Sequence, residues 1–313
     1  MKTAYRDIYP GYINEPSDSE LIDIFKKNIS SQIDTGGDFA MSMAEYAKTL
    51  KNESELLKCV RDFSSYTNDY LAKEERTIRE YLKNDEVINL VTKEMLNSFR
   101  SFYLDCSHNI DRIMRNRQAD SLNGISAMSF NYTHVFDTFF NQLRNHSGLS
   151  SLYITHIHGV LDEDPILGID NESQLNVSYS ISKKARRGFI KPYFNECFDQ
   201  DRVQYALDCI EMASTICIYG LSLGASDLTW RNALLSWLND DSTHHLFIYD
   251  YRYSGIYCKT VSERMDIEDD AKEELLIKWG VKSNDNILSQ IHIPIGKNIF
   301  NIKPCFSPLP IVQ

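Results

Sequence analysis

The chain has 313 residues, of which 42% are hydrophobic and 25% charged, and a formal net charge of -11 at pH 7. That length buries a large core, as one big domain or two modest ones. The acidic balance disfavours diffuse binding to nucleic acid or to an anionic membrane surface, and no run is apolar and long enough to span a bilayer.

Residues 1–16 hold two prolines, a glycine and three tyrosines and read as an irregular lead-in. The first residues, Met1-Lys2-Thr3-Ala4-Tyr5-Arg6-Asp7, lack the apolar core of a signal peptide. Seven cysteines (Cys59, Cys106, Cys197, Cys209, Cys217, Cys258 and Cys305) are scattered and none forms a CxxC pair. That usage fits reduced, buried thiols and a cytoplasmic location. From Ser17 to about Asp120 the pattern is helical, with Asp18 or Ser19 as a first cap and a break at Thr35-Gly36-Gly37-Asp38. Two long helical stretches are predicted near 53–82 and 84–117, both rich in Leu, Glu, Lys and Arg and free of proline and glycine.

The texture changes at Asn123-Gly124. Strands are predicted at 125–130, 152–157, 165–169, 214–219, 245–249 and 287–293. Helices are predicted at 134–144, 195–212, 228–238 and 262–279. The basic run Lys183-Lys184-Ala185-Arg186-Arg187 reads as a solvated loop or helix end. Alternation of this kind predicts an α/β fold, with a mainly parallel sheet and helices on its faces. Residues 1–122 then form a helical layer or insertion, and 123–313 an α/β core packed with it as one unit.

Three strings stand at predicted strand ends, where open α/β sheets bind ligands. In Ser129-Phe130-Asn131-Tyr132-Thr133, the Asn131 amide is both donor and acceptor and suits a water or a ribose hydroxyl; the same residues also suit a helix cap. In His156-Ile157-His158-Gly159 the two histidines would share a strand face, and His158, next to Gly159, is the better general base. His-x-His alone has no further metal ligand at a recognisable spacing, so no metal is assigned. In Gly220-Leu221-Ser222-Leu223-Gly224-Ala225-Ser226-Asp227 the glycines allow close backbone approach, and Ser226 or Asp227 could cap the next helix and favour an anion. Asp250 ends a further strand, where an acidic residue can take ribose hydroxyls. A solvated turn carboxylate explains it equally well.

Together these strings, with Ile166-Leu167-Gly168-Ile169, resemble the bacteriophage abortive infection AbiH family, which is similar to the sirtuin-like NAD-binding fold. The resemblance covers most of the chain. It implies a Rossmann-like (sirtuin-like) core with a large N-terminal helical insertion. It also implies an antiphage protein that hydrolyses the nicotinamide–ribose bond of NAD, with no cofactor beyond NAD as substrate. Asn131 and His158 would carry the chemistry. Tyr132, Gly159, Gly220, Ser222, Gly224, Ser226, Asp227 and Asp250 would line the nucleotide site. Against the family pattern, the opening strand and its glycine loop are expected to be missing, and Ala40 stands at an expected acidic place. The implied partners are NAD or a related nucleotide and a phage protein trigger, with a homo-oligomer compatible. The alternative is a non-catalytic nucleotide-binding sensor or protein-interaction module. A nuclease is least favoured, because no carboxylates cluster to hold catalytic metal ions.

Overall fold

A computed structural model of the chain describes residues 44, 46–101, 124–146, 151–161, 168–169, 171–198, 200–221, 223–224, 227–282 and 285–297. The expectations for the lead-in, the break at 35–38, Ala40, the strand residues 165–167, Ser222 and Ser226 fall outside the described residues.

Past a helical piece at 44 and 46–47, the long helices of the described residues begin with α1 (Glu53–Tyr81) and α2 (Asp85–Ser101). The Asn52 side chain caps α1 by accepting the Glu55 N–H at 3.0 Å. The 29 residues that follow contain no proline or glycine and extend about 44 Å. On α2, Val87, Val91 and Met95 recur at four-residue spacing and are buried against Phe139, Phe140 and Leu143 of α3 (Val135–His146). The predicted continuation from 102 to 117 lies outside the described residues.

Strands β1 (Gly124–Ser129) and β2 (Ser151–His156) pair in parallel, from Gly124 opposite Ser151 to Ser129 opposite His156, with α3 as their connection. Helices α4 (Lys183–Phe189), α5 (Lys191–Phe198) and α6 (Gln200–Met212) follow. The basic run is therefore the body of α4. Ser182 caps it by accepting the Ala185 N–H at 3.2 Å, and Ala185 and Phe189 are buried with Leu56 and Val60 of α1. Glu53 accepts the Ser182 N–H at 2.5 Å and its hydroxyl at 2.7 Å, tying the heads of α1 and α4 together.

The second sheet is β3 (Thr215–Tyr219), β4 (His245–Tyr249) and β5 (Ile291–His292), all parallel, with β4 central. α7 (Leu228–Asp240) joins β3 to β4, while α8 (Tyr251–Ser254), α9 (Val261–Lys278) and α10 (Asp285–Gln290) lie between β4 and β5. Every residue of β4 is buried, as a central parallel strand covered on both faces requires. The strand predicted at 287–293 is corrected to a short helix and a two-residue strand. A brief apolar run does not distinguish the two by periodicity. Tertiary bonding decides it: Gln290 Nε2 donates to the carbonyls of Leu238, Asp241 and His244 at 3.0, 2.8 and 3.3 Å.

The architecture is mixed α/β, with small parallel sheets. The parallel pairing expected from the sequence is present, and among the described residues it takes the form of two ladders, β1–β2 and β3–β4–β5. They share a core in which Met128, Phe130 and Ile157 pack with Ile218, Leu223, Trp230 and Leu246. No helix among the described residues is long and apolar enough to cross a membrane.

Candidate functional site

β1 and β2 end side by side, and Phe130, just beyond β1, meets Trp230 at the head of α7. Phe130, one residue past β1, is the hinge of this arrangement. Its ring lies edge-on to His158, with centroids 5.4 Å apart, and edge-on to Trp230 in the first turn of α7, also at 5.4 Å. Tyr132 stacks on His158, with centroids 5.9 Å apart and planes 26° apart. His158 and the start of α7 thus belong to one aromatic row, although about seventy residues separate them in sequence.

His158 is half-buried. Its ring donates to the Phe130 carbonyl. Burial holds it well below the ordinary imidazole range; the positive charge of Lys191 pushes the same way, and the bond to Phe130 opposes them. Gly159 is buried behind it, and its N–H donates to the His156 carbonyl at 3.3 Å. Asn131 is exposed, with its backbone fixed from two sides. Its N–H donates to Ser129 Oγ at 3.3 Å, and its carbonyl meets His156 Nδ1 at 3.1 Å.

The expectation that His156 and His158 share a face is corrected. The β2 ladder ends at His156 and the chain turns at 157–158, so period-two alternation no longer applies. His156 faces the head of α3, where Nε2 lies 2.9 Å from Asp137 Oδ2. His134 Nδ1 lies 3.7 Å from the same oxygen. Among the described residues, His134, Asp137 and His156 are the one group of three potential ligands whose donor atoms all lie within 4.8 Å of one another. Arg202 secures this corner by donating to the His156 carbonyl at 3.1 Å.

The sequence reading missed His134, Asp137 and Arg202. A signal was present for the first two: His134 and Asp137 stand three apart at a helix start, hence on one face. Their link to His156 depends on the β1–β2 register.

The turn after β3 is tightly folded. Gly220 has φ +68° and Leu223 φ +45°, and the Leu223 side chain is buried in the core. Asp227 occupies the N-cap position of α7 but makes no capping bond to the helix. Its carboxylate turns back instead and accepts the Gly224 N–H at 2.8 Å, closing the loop on itself. Ser222 and Ser226 lie outside the described residues. Asp250 follows β4 and caps α8, accepting the Arg252 N–H at 2.9 Å and the Arg252 guanidinium at 2.9 and 2.7 Å. Arg252 continues to Glu274 of α9 at 2.7 Å. These bonds to Asp250 and Glu274 raise the Arg252 pKa, and the bond from Arg252 is the first reason the Glu274 carboxyl is held below its usual range.

The structure therefore joins Tyr132, His158 and, through Phe130 and Trp230, the head of α7 in one row of rings. Asn131 stands beside the separate His156–Asp137–His134 group. No curated protein and no solved structure matches the chain significantly. A family model described as "Bacteriophage abortive infection AbiH" matches residues 1–249, and the chain therefore belongs to that family.

Proposed function

We propose that this abortive-infection protein cleaves the nicotinamide–ribose bond of NAD at the ends of β1 and β2. Nicotinamide departs with the electron pair of the C–N bond and discharges its pyridinium charge. A water adds its oxygen to the ribose carbon, and its proton passes to a base. The transition state is cationic at the sugar, so catalysis consists of placing that water and the ribose and stabilising the charge. In this reading the exposed Asn131 amide orients the water or the ribose, and His158 takes the proton. Tyr132 and Gly159 shape the pocket wall, and Gly220, Ser222, Gly224 and the Ser226–Asp227 helix start hold the nucleotide.

The observation that carries the reading is the setting of His158. One ring nitrogen is committed to the Phe130 carbonyl, which in a neutral ring leaves the other as an acceptor. The same ring sits in the aromatic row that reaches Trp230 at the head of α7.

The test is incubation of the full chain with NAD, with and without phage lysate, and measurement of free nicotinamide. The expected result is nicotinamide release that His158→Ala lowers by about 10²- to 10⁴-fold, the usual worth of a general base. No release by the wild type in either condition overturns the reading, and so does an unchanged rate in His158→Ala.

A nucleotide sensor without turnover is the second reading. The contacts of His158 with the rings of Phe130 and Tyr132 favour it, as does the engagement of the Asp250 carboxylate with Arg252. Calorimetric binding of NAD without nicotinamide release would select it.

A further inference from the structure

His156 meets an acceptor at both ring nitrogens. Nδ1 lies 3.1 Å from the Asn131 carbonyl oxygen, and Nε2 lies 2.9 Å from Asp137 Oδ2. A neutral imidazole has one N–H to give. With that hydrogen on Nδ1 the carbonyl is satisfied, and the Nε2 lone pair then faces a carboxylate oxygen. Only a cation between the two makes that contact attractive. A backbone carbonyl holding the far N–H is also the arrangement that fixes the tautomer of metal-binding histidines.

His134 supplies the third donor. Its Nδ1 lies 3.7 Å from the same Asp137 oxygen, and the three donor atoms fall within 4.8 Å of one another. Around a tetrahedral ion with bonds of about 2.0–2.1 Å, ligand atoms stand about 3.3 Å apart. The observed 2.9 and 3.7 Å bracket that separation. A proton in the same place would satisfy His156 and Asp137, whereas an ion would also engage His134, whose ring lies edge-on to His156 with centroids 5.7 Å apart.

We propose that His134, Asp137 and His156 bind one divalent first-row transition ion, for which zinc is the reference. Two imidazoles and one carboxylate suit such an ion, whereas magnesium and calcium prefer all-oxygen shells. Three protein ligands leave one position open to water or to an oxygen of a bound molecule. The side chains remain partly open to solvent, at 31%, 22% and 11% exposure for His134, Asp137 and His156, so the ion has a route in. Two ligands come from the head of α3 and one from the end of β2, so the ion clamps this βαβ unit and stabilises the fold by mass action. The inference stands independently of NAD cleavage.

The experiment uses the full chain, stripped with a chelator, and zinc chloride as the probe. Zinc affinity is measured by competition with a chromophoric chelator, and Tm is followed in parallel. The wild type is expected to bind one zinc per chain, with a rise in Tm that excess magnesium does not reproduce. His134→Ala and Asp137→Asn are expected to weaken binding by about tenfold or more. His244→Ala, which removes a histidine stacked on Trp237 elsewhere in the molecule, is expected to bind zinc as the wild type does. X-ray absorption should show nitrogen and oxygen at about 2.0–2.1 Å. His134→Ala leaves the His156–Asp137 contact in place, so its effect does not depend on loss of fold. The proposal is overturned if the wild type binds no zinc at micromolar concentration, if His134→Ala and Asp137→Asn bind it unchanged, or if the ligands prove to be cysteine sulfur.

Discussion

Gly220 and Gly296 have nearly the same φ, +68° and +74°. They differ in what surrounds them. A Cβ at Gly220 would meet nothing within 4 Å, whereas one at Gly296 would lie 2.5 Å from the Ile256 carbonyl oxygen. Gly220→Ala should therefore cost about 1–2 kcal/mol, the strain of an L residue in the left-handed region. Gly296→Ala should cost a further 1–3 kcal/mol or so from overpacking. Urea denaturation of both variants measures the difference, and equal losses would show that crowding at Gly296 relaxes freely. Leu223, at φ +45°, accepts the same strain without being glycine. Its side chain is 1% exposed, and burial of a leucine contributes about 1.5–3 kcal/mol in return. At this scale the sequence showed Asn131, His158 and the glycines of the β3 turn as strand-end residues, because their neighbours form recognisable apolar runs. It did not show the partners of His156, which come from a different element.

The helices follow their local chemistry closely. α9 begins where Thr260 Oγ1 accepts the Glu263 N–H at 3.1 Å and Glu263 returns the bond to the Lys259 N–H at 2.8 Å. Thr260→Ala should cost about 1 kcal/mol, read from the shift of the urea midpoint with the slope unchanged. An altered slope would instead signal a change in compactness. Propensity, caps and spacing are properties of a short stretch of chain, so α1, α3, α7 and α9 were legible within a few residues. The segment from Asp285 to His292 was not legible. Its apolar residues suit a strand, but the bonds from Gln290 to the end of α7 and to the turn after it hold the first six as helix. Asp227 shows the same limit: its position reads as a cap, yet its carboxylate serves the loop.

Across the whole molecule, buried histidines couple the second sheet to pH. His292 on β5 meets His245 on β4, Nε2 to Nδ1 at 3.1 Å, and its ring lies tilted against Phe247 with centroids 4.7 Å apart. From α9, Lys272 adds its charge while paired with Glu268 at 3.0 Å, and Glu268 also accepts the Ile293 N–H at 3.3 Å. Burial first, then His245 and Lys272, lower the His292 pKa to about 3. Unfolding returns it to about 6.5, so below that pH the unfolded chain binds a proton that the folded chain refuses. Stability should fall as pH drops from about 6.5 towards 3, by up to about 1.4 kcal/mol per pH unit from this group. His292→Gln removes the titration. Its stability, measured by urea at several pH values, should decline less steeply on the acid side than that of the wild type; parallel curves would refute the assignment.

The sequence by itself determined the alternation of strand and helix, the helices over 53–101, the parallel pairing and the strand-end positions of Asn131, His158 and Asp250. Each of these is encoded within a window of a dozen residues by periodicity, turn chemistry and apolar runs. Tertiary structure alone decided that the described strands form two ladders, that Phe130 carries His158 to Trp230, and that His134 and Asp137 reach His156. Those outcomes depend on register and on packing between segments distant in the chain. No local window contains the geometry that brings such side chains within a few ångströms.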